Sequence, residues 1–193
     1  MRMQLIFVVE TNKDVQSDWI YIKETLENLY RIERSVIKLS PVYMNGRGNY
    51  SKKLNEIKSL EKKFKAMSDE SRSHVIYCFD CDAYDTNSND RKFLEDARLF
   101  CKKNDFEFVW FCKDIEQVYL GRSVGGKVKR KEADRFKAKH IIDKINVDSL
   151  NAEVIGEGRS NLMLVLNKYG IPKKIVMDRD YSNCKELDER LKI

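Results

Sequence analysis

Short apolar runs alternate along this chain with longer stretches in which apolar residues return every three or four positions. Leu5–Val9 is the first run, five apolar residues closed by Glu10, and it predicts a buried strand. Val15, Trp19, Ile22, Leu26 and Leu29 then recur at helical spacing, which predicts an amphipathic helix over 14–30 with Asp14 as its cap or first-turn acid. Residues 35–44 predict a second strand, in which Pro41 marks an edge position or a break. Asn45–Tyr50 is a loop with glycines on both sides of Arg47, and a helix follows from Ser51 to about Met67 with Leu54, Ile57, Leu60 and Phe64 on one face. Val75–Phe79 is the third run and is closed by Asp80 and Asp82. A helix over 90–104, with Asn89 as a plausible cap, leads to the aromatic run Phe106–Cys112 as the fourth strand. Strands separated by helical segments in this way predict βαβ units and a mostly parallel sheet.

After Gly121 the pattern changes. The segment from Arg122 to Lys139 is strongly basic, with Glu132 and Asp134 as its acids, and residues 132–143 predict a helix. Residues 147–157 are irregular, and Leu162, Met163, Val165 and Leu166 place a short helix within 159–169 that Gly170-Ile171-Pro172 stops. Leu187 and Leu191 stand at helical spacing in the charged last stretch. The expected organisation is a catalytic domain over 1–121 and a basic, mainly helical extension over 122–193 packed on it.

Composition changes this picture little. A chain of 193 residues with 42% hydrophobic and 35% charged residues is long enough for a real core. The net charge of +6 is modest but unevenly placed, which favours a polyanionic partner. The N-terminal apolar run is too short for a signal peptide and no stretch approaches a membrane span, so the expectation is a cytoplasmic protein without membrane contact. Cys78, Cys101 and Cys112 read as reduced core thiols, and with two histidines in the chain no zinc site emerges.

The candidate chemistry lies at the strand ends. Glu10 closes strand one, Asp80 and Asp82 close strand three, and Lys113, Asp114 and Glu116 follow strand four. Carboxylates converging beyond the carboxyl ends of parallel strands suit a hard divalent cation, Mg²⁺ or Mn²⁺. An Asp-rich turn is the simpler reading of residues 80–90, and an ion pair between Glu10 and Lys113 is the simpler reading of those two groups. The Gly-rich loop offers Arg47 to a phosphate, and Arg122, Lys127, Lys129, Arg130 and Lys131 form a basic stretch suited to a nucleic-acid backbone.

These motifs together resemble the Toprim fold, the metal-binding domain of topoisomerases, primases and OLD-family nucleases. VVETNKD keeps Glu10 and Asp14 at the spacing of the family's first motif, with Thr11 where the family has glycine, and VIYCFDCD matches the second with Asp80 and Asp82. KDIEQVYLG, with Glu116, and GRSNLMLVLNKYG place the chain nearest the small RloB-like proteins of bacterial phage-defence loci. The resemblance implies a Rossmann-like α/β three-layer sandwich around a mostly parallel four-stranded sheet with a C-terminal helical extension. It implies a Mg²⁺- or Mn²⁺-dependent nuclease acting on RNA, such as tRNA, or on DNA, as an antiphage or toxin-type effector. Glu10, Asp80 and Asp82 would hold metal with Asp14 beside them, Glu116 would serve a second ion, and Lys113 would stabilise the leaving oxygen. The resemblance implies a partner ATPase encoded nearby as well; the chain itself shows no phosphate-binding P-loop. The aromatic fourth strand and an exposed second strand leave room for a homodimer. Two rival readings remain: an accessory nucleic-acid-binding or complex-forming protein on a Toprim scaffold, and a haloacid-dehalogenase-like phosphatase with Asp80 as nucleophile.

Overall fold

In the computed structural model, which describes residues 2–67 and 70–174, a five-stranded sheet carries helices on both faces. The strands are β1 (Met3–Val9), β2 (Ile37–Tyr43), β3 (Arg72–Asp80), β4 (Glu107–Cys112) and β5 (Arg159–Ser160), in the order β2-β1-β3-β4-β5. The first four are parallel, and β5 runs antiparallel along β4. The helices are α1 (Ser17–Leu29), α2 (Leu54–Lys65), α3 (Ser88–Lys103), α4 (Ile115–Leu120), α5 (Lys129–Ala138) and α6 (Leu162–Asn167). The expected mostly parallel α/β sandwich is therefore present, with five strands in place of four. The fifth was hidden because residues 159 and 160 form one short strand before the helix predicted over 159–169 begins.

Alternation along each strand builds two cores. Leu5, Phe7 and Val9 of β1, Ile76 and Cys78 of β3, and Val109 and Phe111 of β4 face α1, α4, α5 and α6. Ile6 and Val8, then Val75, Tyr77 and Phe79, then Trp110 and Cys112 face α2 and α3. Both faces are buried, so the strands read as continuous apolar runs. At the lower end, the buried Gln4 accepts from Ser73 Oγ and donates to Ser40 Oγ, both at 2.9 Å, and so spans three strands. Pro41 lies in β2, which among the described residues pairs only with β1, as an edge strand permits.

Helix boundaries differ from the periodicity for local reasons. The side chain of Asn12 accepts from the backbone N–H groups of Asp14 and Val15, at 3.1 and 2.8 Å, and Gln16 is left-handed with φ 52°. This turn delays α1 to Ser17, so Asp14 neither caps it nor lies in its first turn. Asn87, not Asn89, caps α3 by accepting from the N–H groups of Asn89 and Asp90. Residues 47–53 wind as a 3-10 turn ahead of α2. The basic helix begins at Lys129, ahead of its predicted start, and ends at Ala138.

The basic segment joins the same core as the sheet. Ala133 and Phe136 of α5, Ile142, Leu150 and Leu162 belong to the cluster that holds Leu5 and Phe7. Tyr21 of α1 stacks on Tyr119 at 5.1 Å and meets Phe136 edge-on at 4.9 Å. Leu187 and Leu191 lie outside the described residues. Among the described residues no helix is long and apolar enough to cross a membrane.

Phe136 is completely buried, so Phe136→Ala is expected to cost about 3–5 kcal/mol through the cavity it leaves. Urea unfolding of the full chain measures this, and a loss below about 1 kcal/mol would mean that α5 is not anchored through this ring.

Candidate functional site

The order in which strands are added reverses between the parallel neighbours β1 and β3. From β1 the chain crosses through α1 to β2 on one side, and from β3 it crosses through α3 to β4 on the other, with α1 and α3 on opposite faces. The crevice beyond the carboxyl ends of such a strand pair is where open α/β sheets bind ligands. Glu10 follows β1 and Asp80 ends β3, so the first two candidate residues open onto this crevice.

Backbone hydrogen bonds lock the two acids together. Glu10 Oε1 accepts the Asp80 N–H at 3.0 Å, and Asp80 Oδ1 accepts the Ile115 N–H at 3.0 Å. Asp114 caps α4 by accepting the Gln117 N–H at 2.7 Å, which presents the Ile115 amide to Asp80. The next residue, Glu116, is fully buried, and its Oε2 accepts from the Lys129 ammonium at 2.9 Å. Its other oxygen, Oε1, is buried with no hydrogen-bond partner.

Asp18 is the acid that sequence reasoning missed. The delayed start of α1 buries it in the first turn, where Oδ2 accepts the Thr11 N–H at 3.1 Å and Oδ1 accepts from Ser17 Oγ at 3.2 Å. Asp14, predicted at the metal, lies on the exposed turn instead. The signal was available in principle, because once Asn12 is read as an Asx turn the next acid on the helix is Asp18.

The pocket is strongly charged for its burial. Burial pushes the Glu10 carboxyl up to about 8, against the pull of the Asp80 N–H, and repulsion from Asp18 and Asp82 adds to the rise. Asp80 is held well above the usual carboxylate range by burial, and by repulsion from Glu10 and Asp18. Burial raises Asp18 and Glu116 also, while Lys129 pulls both down. For Lys129, burial opposes the charge, but Glu116, Asp80 and Asp18 outweigh it and hold the ammonium above the ordinary lysine range. Lys129 was expected to face nucleic acid; the structure turns it inward to serve Glu116, Asp80 and Asp18.

Asp82 takes a different place from Asp80. It is left-handed, with φ 48°, and sits partly exposed on the rim of the crevice. Arg47 donates to Asp82 through Nη1 and to Asp90 Oδ1 through Nη2, the latter at 2.6 Å, and its guanidinium lies 4.7 Å from the Phe93 ring centre. The Gly-rich loop therefore clamps the second aspartate of the motif with the arginine expected to hold phosphate. Lys113 is half exposed and approaches Glu157 at 4.0 Å, not Glu10. Arg122 pairs with Glu132 at 2.6 Å and Arg130 with Asp134 at 2.9 Å. Lys127 and Lys131 are exposed on the same segment.

Cys78 and Cys81 stand at C-x-x-C spacing but face opposite cores, where Cys81 neighbours Cys112. They offer no shared metal site. Among the described residues no three His, Cys, Asp or Glu side chains are arranged as a metal-binding group. The donor chemistry nonetheless suits a hard divalent cation: carboxylate oxygens dominate, and Glu116 Oε1 is a buried oxygen without a donor. Comparison with protein-family models, with curated proteins and with solved structures finds no match to this chain.

The pKa of Glu10 has a direct consequence for stability. An ordinary glutamate titrates at 4.5, and folded Glu10 at about 8. Between these values the folded protein keeps a proton that the unfolded chain has lost, so raising the pH destabilises the fold. In chelating buffer the melting temperature is expected to fall as pH rises through this window, and Glu10→Gln to flatten the fall. A melting temperature that climbs with pH across the window in the wild type, or an unchanged slope in Glu10→Gln, would contradict this electrostatic account.

Proposed function

We propose that this chain is a divalent-metal-dependent nuclease whose centre is the acid pocket at the crevice between β1 and β3. The observation that carries the reading is the locking of Glu10 to Asp80 beside buried Asp18 and Glu116. Buried carboxyl groups that repel one another are a cost to the fold, and a site of ionic chemistry is the usual reason to keep them. The Toprim-like motif spacing and the placement at the reversal of strand order support the same reading.

Glu10, Asp18, Asp80 and Glu116 would hold the ion, which when bound supplies charge neutralisation on a phosphoryl group and a water of lowered pKa. Glu10 would complete the shell of the ion or serve as general base, and the Asp80 N–H orients it for either. The backbone N–H of Ile115 fixes the orientation of Asp80, and that of Asp80 fixes Glu10. Arg47 holds Asp82 at the rim, so Asp82 orients the entry to the pocket more than its floor. Lys127 and Lys131, exposed beside the inward-facing Lys129, would hold a phosphate backbone, RNA or DNA. The resemblance to defence-associated proteins supports an effector role, with an ATPase as its restraining or triggering partner.

The accessory-protein reading draws on a specific feature, the clamping of acids by Lys129 and Arg47 within the chain itself. Such a protein would bind nucleic acid through its basic segment and cleave none. Labelled tRNA, plasmid and single-stranded DNA incubated with the full chain under Mg²⁺ or Mn²⁺ separate the two. Cleavage is expected, and Asp80→Asn is expected to slow it by about a hundredfold or more. Binding that persists without cleavage of any of the three substrates favours the accessory role, and cleavage unaffected by Asp80→Asn places the chemistry elsewhere.

A further inference from the structure

The charge inside the acid pocket is incomplete. Asp18, Asp80 and Glu116 are answered there by one ammonium, that of Lys129, which reaches Glu116 Oε2 at 2.9 Å and bears on Asp80 and Asp18 as well, while Glu10 is eased by the Arg47 guanidinium at the rim. Glu116 Oε1, buried beside it, has no donor. A buried carboxylate satisfied on one oxygen only is a site short of positive charge or hydrogen.

Lys129 is also an unlikely residue for its own helix. It is the first residue of α5, where the helix macrodipole favours anions and opposes a lysine. Its placement is decided by the pocket, not by the helix. The side chain remains 23% exposed and has a four-carbon flexible stem, so it can leave the pocket without disturbing Phe136, two turns further along α5.

We propose that the Lys129 ammonium is a tethered counter-cation, which occupies the acid pocket in the metal-free protein and is displaced when a divalent ion enters. The inference rests on the metal reading given above and adds its regulation. An ammonium and a divalent ion a few ångströms apart repel, so both cannot share the same oxygens. Lys129 thus keeps the metal-free fold intact and sets a threshold of metal concentration below which the site stays closed.

The test uses the full chain and Mn²⁺ alone. Calorimetric titration of wild type and Lys129→Met is expected to show Mn²⁺ binding about tenfold tighter or more in the variant. Its melting temperature in chelator is expected to fall, and saturating Mn²⁺ to restore it. Equal or weaker affinity in Lys129→Met overturns the proposal while leaving the metal reading in place, whereas absence of Mn²⁺ binding in both proteins overturns both. If the variant does not fold, the wild type decides. Acetylation of Lys129 by an N-hydroxysuccinimide ester, followed by peptide mass spectrometry, is expected to accelerate several-fold on adding Mn²⁺. Labelling that is unchanged or slowed overturns the displacement.

Discussion

Removing carboxyl groups from water is the constraint around which this molecule is arranged. Glu116 and Asp18 are buried, Asp80 and Glu10 stand half-buried at the strand ends beside them, and the Lys129 ammonium reaches into the group. Desolvating an ion costs several kcal/mol even after relaxation, on the order of what a whole domain gains in net stability. Each group is therefore held by something specific: the Asp80 N–H for Glu10, the Ile115 N–H for Asp80, the Thr11 N–H for Asp18, and Lys129 for Glu116. Apolar residues of similar size at these positions would pack without that cost. A structural role alone gives no reason to retain the acids.

The fold delivers these groups from distant parts of the chain. β1 and β3 are neighbours only because the strand order runs β2-β1-β3, which brings Glu10 beside Asp80 across seventy positions. The short helix α4 adds Ile115 and Glu116 directly after β4. The basic helix α5 closes the set from the far side. The aromatic group of Tyr21, Tyr119 and Phe136 fixes it on α1, and the 2.5 Å contact between Thr25 Oγ1 and Tyr119 Oη ties α4 to the same helix. The three helices that supply Asp18, Glu116 and Lys129 are thus joined through one aromatic layer. The position of the ammonium depends on packing as much as on charge.

Much of the fold was legible because parallel strands buried on both faces leave an unambiguous trace. Leu5–Val9, Val75–Phe79 and Phe106–Cys112 were readable as strands, and the placement of Glu10 and Asp80 at their ends followed. What was not legible depended on side chains acting on backbone over short range. The Asn12 turn moved the start of α1 and exchanged Asp14 for Asp18. A two-residue antiparallel strand carries too little pattern to be seen beside the helix that follows it. The basic run from Arg122 onward read as one electrostatic surface, yet Lys129 turns inward while Lys127 and Lys131 stay out. Charge patterning reports the sign of a segment and not the direction in which any one side chain points. That direction is decided by Ala133 and Phe136, whose burial orients the helix.

The two aspartates of the D-x-D motif show why sequence proximity understates chemical difference. Asp80 is the last residue of a strand, half-buried beside Glu10 and Asp18, where desolvation and its acidic neighbours hold its pKa high. Asp82 lies past a left-handed turn, at the rim, paired with an arginine that also holds Asp90. Both are raised by burial and by acidic neighbours, with Lys129 opposing at Asp80 and Arg47 opposing more directly at Asp82, through a salt bridge. An ion drawn into the crevice gains most by meeting Asp80, because there it replaces an absent solvent, and least by meeting Asp82, which already has a partner. The depth of the pocket, not the count of acids along the chain, therefore decides where a cation would be held. It also sets the charge of Lys129 at the floor, and that of Arg47 at the rim, against the charge of any cation held there.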